Sequence, residues 1–204
     1  MQNSSNSQNP TKEKLMATSI DLKKKLEEIE VKKKIEKFEK HLSSFDNQPS
    51  YYLVLANLKL QIKDIEGALH YLNEACKLFP KAEFIYDVRA EILYKMKDYN
   101  GALMNLNQAI NINPQNDLYY YRRGNVLMQL KIYSSANEDY SKAIEINSLK
   151  DDYYFKRGYS RGCLNDLENS IADFEKTLEL NPNKTKAKEL IITLKKYQMK
   201  KMLF

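Results

Sequence analysis

The sequence predicts an all-α fold: an α-solenoid of four helix-turn-helix units, with an N-terminal helix before them and a C-terminal capping helix after them. Three observations carry this. The chain repeats itself without gaps every 34 residues from 49 to 184. Small residues recur at fixed places inside each unit, where two helices must cross closely. The stretches on either side of the repeats carry apolar residues at helical spacing.

Taking the elements in order, residues 1–18 are polar and read as a disordered N-terminus, followed by an N-terminal helix over 19–48. Its apolar stripe changes sides. Leu22, Leu26 and Ile29 share one face, whereas Val31, Ile35, Phe38 and Leu42 lie about half a turn away. A continuous heptad would keep one seam, so a simple coiled-coil dimer is disfavoured. Phe38 stands 34 residues before Leu72, and Leu42 is in register with Cys76, Ile110, Ile144 and Leu178. Residues 31–45 are therefore expected to pack on the first unit as helix B of a partial, degenerate repeat, leaving Leu22, Leu26 and Ile29 to dock a partner. The alternative is that 20–30 folds over the array or frays.

The four units are 49–82, 83–116, 117–150 and 151–184. Tyr52, Tyr86, Tyr120 and Tyr154 align, followed by Ala56, Ala90, Gly124 and Gly158, and then by Ala68, Ala102, Ala136 and Ser170. Leu72, Leu106, Tyr140 and Phe174 form the next column, and Ala75, Ala109, Ala143 and Thr177 the one after. Pro80, Pro114 and Pro182 stop helix B in three units, and Ser148 stands in the fourth. A polar break at Lys97-Asp98-Tyr99-Asn100-Gly101 separates helix A from helix B.

This pattern resembles the tetratricopeptide repeat, a 34-residue helix-turn-helix unit, over about two thirds of the chain. Tyr replaces Trp at the first aromatic position. Lys59 and Arg161 stand where the inner units have Leu93 and Leu127, which is expected to loosen helix A or to send the charged head to water. Residues 185–204 read as a basic capping helix with Ala187, Leu190, Ile191, Leu194 and Tyr197 on its apolar stripe. A solvating cap is the plain expectation; the sharper one is that Lys195 to Lys201, with the Met202-Leu203-Phe204 end, docks on an acidic partner or a membrane surface.

Residues 1–48 hold 10 lysines and eight acids, 49–182 hold 16 basic and 18 acidic residues, and 183–204 hold seven lysines and one glutamate, so the net +6 is a property of the tail. The middle lacks the basic stripe that tracks phosphates, which argues against nucleic acid. No run approaches the roughly 20 apolar residues of a membrane span, and the first ten residues lack the features of a secretory leader. Cys76 and Cys163 show no ligand or disulfide spacing, so a reducing compartment fits. His41 and His70 neighbour no cysteine and form no HExxH, and no phosphate-binding glycine loop is present. A non-catalytic chain without metal or cofactor is expected.

The resemblance implies that side chains of the A helices line a concave groove. Here they are Leu53, Val54 and Asn57 in repeat 1, then Phe84, Asp87, Val88, Glu91 and Tyr94 in repeat 2. Repeat 3 gives Tyr121, Arg122, Asn125, Met128 and Gln129, and repeat 4 gives Phe155, Lys156 and Tyr159. Tyr94, Tyr121, Arg122, Asn125, Phe155, Lys156 and Tyr159 are the expected peptide-binding set, suited to a peptide or helix with acidic and hydrophobic character. The recurring Arg89, Arg123 and Arg157 are read as structural. The family's carboxylate clamp, used by co-chaperones on acidic chaperone tails, fits poorly: the second register places Asp87 and Glu91 where cation and amide are needed. The function implied is a protein-interaction scaffold in the cytoplasm. The alternative is a structural subunit of a cytoskeletal or ciliary assembly held through its N-terminal helix, with a chaperone-tail binder behind both.

Overall fold

The computed structural model describes residues 10–44 and 48–202, for residues 10–19, 43 and 202 the backbone alone. The described residues form ten α-helices: α1 Pro10–His41, α2 Pro49–Gln61, α3 Ile65–Leu78, α4 Glu83–Lys95, α5 Tyr99–Ile112, α6 Asp117–Gln129, α7 Tyr133–Ile146, α8 Asp151–Cys163, α9 Leu167–Leu180 and α10 Thr185–Met202. A short 3-10 turn, Leu42–Ser44, follows α1. The expected disordered stretch 1–18 is corrected over 10–18: proline is accepted at a helix start because its missing N–H has no partner there, and helix-forming residues follow it. Residues 1–9, 203 and 204 lie outside the described residues. The chain forms two compact units, residues 1–78 and 79–204.

In the first unit α2 and α3 make one hairpin, and the second half of α1 packs on α2. Ile35 is buried, and the Phe38 ring lies 5.0 Å from that of Tyr51, whose hydroxyl donates to the Phe38 carbonyl at 3.0 Å. The expected change of face is present: residues 31–42 turn apolar groups inward, while Leu22, Leu26 and Ile29 are exposed.

The second unit stacks three hairpins, α4–α5, α6–α7 and α8–α9, in chain order, with α10 against α9. The small residues mark the crossings. A Cβ added at Gly124 would come within 2.7 Å of the buried Tyr140 ring, and one at Gly158 within 3.1 Å of Phe174 and of Asp173. Tyr52, Tyr86, Tyr120 and Tyr154 are buried, as core duty requires.

Every A-to-B turn has one design. Lys63, Lys97, Lys131 and Asn165 take positive φ of 60–65°, each followed by a residue whose N–H reaches five residues back, as Asp98 does to the Leu93 carbonyl at 2.9 Å. Helix α5 starts at Tyr99, so the sequence-expected break ends at Asp98, three residues before Gly101, whose N–H the Asp98 carboxylate accepts at 2.9 Å.

Two polar ladders recur within the second unit. Arg123 donates through Nε and an Nη to both oxygens of Asp139 at 2.8 and 2.7 Å, and Arg157 does so to Asp173 at 3.0 and 2.7 Å; Arg89 donates to Asn105 at 2.6 Å. Each guanidinium also lies 5.6–5.7 Å from the tyrosine ring three residues earlier. The second ladder joins the first residue of a repeat to an asparagine 30 later: Asn113 to Glu83, Asn147 to Asp117 and Asn181 to Asp151.

The charges expected to loosen repeats 1 and 4 are instead partnered. Lys59 stands 3.5 Å from both Glu39 and Asp64, and Arg161 joins Arg157 on Asp173 at 2.8 Å. In α10, Ala187 is buried and Leu190, Ile191 and Leu194 are half-buried against α9, but Tyr197 lies 53% exposed. The cap grips through its first three turns, and Tyr197 falls beyond them. Lys195 reaches Glu175 on α9 at 2.8 Å.

Candidate functional site

Within residues 79–204 the helices α4, α6 and α8 bring the whole expected peptide-binding set into one unit. A recess of about 310 Å³ opens between α4, α5 and α6. Ala90, Tyr94, Leu106, Tyr121 and Val126 give it apolar walls, while Glu91, Lys95, Arg122 and Asn125 bring polar groups to it.

Its aromatic walls are held in place. Tyr94 packs on Tyr99 with ring centroids 5.7 Å apart, and Tyr121 packs on Tyr153 at 4.8 Å and Tyr140 at 6.0 Å. Burial pushes the Tyr121 hydroxyl above its ordinary pKa, so it stays a neutral donor and acceptor at physiological pH. Asn125 accepts from the Tyr140 hydroxyl at 3.0 Å and turns its amide toward the Tyr121 hydroxyl, where a donated N–H opposes the effect of burial, and the second N–H can serve a ligand.

The charges arrange themselves differently from the sequence expectation. Arg122 was expected to meet an acidic ligand, but its Nη1 contacts Glu91 at 2.9 Å and the buried Asp87 at 3.2 Å. Glu91 also accepts from Lys95 at 2.6 Å, and its carboxyl is held below the usual range, first by that bond. Burial pushes the Asp87 carboxyl up, opposed by Arg122. The two cations at the recess, Lys95 and Arg122, are thus already matched, by Glu91 beside them and by the buried Asp87 behind. One signal for this was present in the sequence: Asp87 and Glu91 lie 35 and 31 residues before Arg122, on the preceding A helix at neighbouring repeat positions.

On α8 the set divides again. Phe155 is half-buried against Phe174, at 5.5 Å, and is covered by the Lys184 ammonium 5.0 Å from its ring centroid. Lys184 itself pairs with Asp151 at 2.9 Å and with Asp152. Lys156 makes no ion pair among the described residues, and Tyr159, three residues on and thus on the same helix face, is 50% exposed. Lys156 and Tyr159, with the recess walls, are the parts of the expected set left open to a ligand.

The second candidate face lies in the other unit. Leu22, Leu26 and Ile29 are 64%, 57% and 48% exposed on α1. Among the described residues no group of three or more His, Cys, Asp or Glu is disposed to hold a metal. Both cysteines are free thiols.

Comparison with known proteins agrees with this architecture. A family model described as Tetratricopeptide repeat matches residues 49–81, 118–148 and 151–184, and one described as TPR repeat matches 90–131. Among solved structures the chain is similar to the Arabidopsis OM64 TPR domain, with 29% identity over 57% of this chain and 97% of that one and a TM-score of 0.55. It is also similar to YrrB, described as a TPR protein with an unusual peptide-binding site, with 21% identity, 79% and 84% coverage and a TM-score of 0.70. A third likeness is to the first TPR of Spaghetti (RPAP3) bound to the HSP90 peptide SRMEEVD, with 23% identity, 57% and 93% coverage and a TM-score of 0.56. No curated protein matches the chain in sequence.

Proposed function

The chain belongs to the tetratricopeptide repeat family, whose fold marks a protein-interaction module, and we propose that its 79–204 unit holds a peptide or helix of a partner protein along α4, α6 and α8. The observation that carries this is the preformed recess walled by Tyr94 and Tyr121, with the exposed Tyr159 and the half-buried Lys156, which makes no ion pair among the described residues, on the next A helix of the same unit. An apolar side chain of the ligand fills the recess, an amide N–H of Asn125 holds its backbone, and an acidic group meets Lys156. Rigid aromatic walls lose little entropy on binding, which is why such residues dominate interface energies. The role is that of a scaffold, without chemistry of its own, and the proposed setting is cytoplasmic, cytoskeletal or ciliary assemblies included. No helix among the described residues is long and apolar enough to cross a membrane.

The engagement of Arg122 by Asp87 and Glu91 speaks against the chaperone-tail reading, because a chain-terminal carboxylate there would meet two carboxylates whose counter-charge is already in place. A second reading is supported by the exposure of Leu22, Leu26 and Ile29: the first half of α1 is a hook that ties the array into a larger assembly.

A random peptide library displayed on phage tests the groove. Selected peptides are expected to combine a large apolar residue with an acid and to lose roughly 10- to 100-fold in affinity on Tyr121→Ala at unchanged helicity. Failure to enrich any sequence, or peptides indifferent to Tyr121→Ala, would remove the groove reading.

A further inference from the structure

The first half of α1 carries an apolar seam and the charges to specify what covers it. Leu22, Leu26 and Ile29 follow one another at steps of four and three, the spacing of core positions d, a and d in a heptad. In that register Lys25 falls at g and Glu30 at the next e, the two positions that face each other across a parallel pair of helices. Both side chains are exposed, and neither makes an ion pair among the described residues. Beyond Ile29 the same register sets Lys33 and Glu36 in the seam and Lys32 against Lys37, so pairing stops there. That is also where α1 turns its other face, Val31, Ile35 and Phe38, toward the first repeat. The change of stripe that excludes a coiled coil along all of α1 leaves a short one open at its start.

We infer that the occupant of this face is a second copy of the chain: two α1 helices pair in parallel and in register, stacking Leu22, Leu26 and Ile29 on their counterparts, with Lys25 of each copy meeting Glu30 of the other. The inference rests on the reading of this face as a docking surface and names its partner. A mixed partner would have no need of self-complementary g and e charges, whereas a parallel homodimer uses both pairs. Three apolar layers cover less than the roughly 1,000 Å² of a standing interface. The association is therefore reversible and fills at high concentration or where copies are brought together.

Sedimentation velocity of the full chain, from micromolar to about 1 mM, reads the pairing. The wild type shifts from monomer to dimer across this range. Lys25→Glu and Glu30→Lys, each alone, set like charges against each other and stay monomeric, and an equimolar mixture of the two variants restores a dimer containing one of each. A wild type that remains monomeric throughout overturns the inference, as does a dimer that forms equally in both single variants or survives Leu26→Asp. A dye that fluoresces on exposed apolar surface separates the two failures. If the wild type stays monomeric yet binds the dye and Leu26→Asp binds it several-fold less, the docking face stands and another protein covers it. If neither binds dye, the docking reading falls as well.

Discussion

The first repeat and the last two close the same hairpin with different chemistry. In repeats 3 and 4 helix A is tied to helix B by Arg123–Asp139 and Arg157–Asp173, each a two-pronged pair with the carboxylate buried. The same two positions of repeat 1 hold Leu55, fully buried, and Tyr71. With no arginine to meet, Tyr71 turns its hydroxyl to Glu39 on α1 at 2.6 Å, and Glu39 also stands by Lys59. Giving up the internal lock releases a polar group to hold the helix that precedes the array. Repeat 1, which has α1 to secure, is the one repeat with no arginine at this position.

The largest way to break this comparison is Asp173→Ala. Asp173 is 3% exposed and accepts from both Arg157 and Arg161, so its loss leaves two half-buried guanidinium groups without a carboxylate. We expect a loss of about 3–5 kcal/mol in chemical denaturation, and a value under about 1 kcal/mol would show that the ladder is ornamental. Gly124→Ala comes next: the new methyl meets the fully buried Tyr140 ring, which has no room to yield, at a cost of about 1–3 kcal/mol. Tyr71→Phe should cost only about 1 kcal/mol, and its signature is local. Amide protection falls over 31–41 of α1 and is unchanged in α6–α9, whereas a uniform change would contradict the assignment.

The start of α10 answers to pH. Asp151 is raised by burial but more strongly lowered by hydrogen bonds from Lys184 and Asn181, so its carboxyl titrates below the ordinary 3.8. A depressed acid stabilises the folded state above its unfolded value and loses that contribution as pH falls through the folded one. Protection factors of the first turn of α10 should therefore drop on acidification below that range, and the drop should flatten in Asp151→Asn. The smallest effect expected is a gain: Lys97→Gly relieves a left-handed backbone and should stabilise by about 0.5–1 kcal/mol in thermal melts.

Much of the fold was legible because its determinants recur. One 34-residue register exposes the columns of small residues, tyrosines and prolines together, and Phe38 and Leu42 announced the docked half of α1 by falling into that register. What escaped was pairwise. The Arg–Asp ladder joins residues 16 apart, and reading the arginines as structural did not name their partners. The left-handed turn residue is Lys or Asn in every repeat, where glycine is the usual sign. At the site, the aromatic walls were visible as A-helix residues, but the state of Arg122 was not: it depends on the distance to Asp87 and Glu91 on the preceding A helix, and composition alone showed only an acidic half and a basic half.

The measurement that most directly tests this reading compares Arg122→Gln with Lys156→Gln by titration calorimetry, using an acidic peptide taken from the phage selection. Because Arg122 is already matched by two carboxylates and Lys156 makes no ion pair among the described residues, Lys156→Gln is expected to weaken binding by roughly tenfold or more and Arg122→Gln by less than about threefold. The reverse order would mean that the ligand displaces the internal ion pairs and that Arg122 reads the acidic group, as the sequence alone suggested.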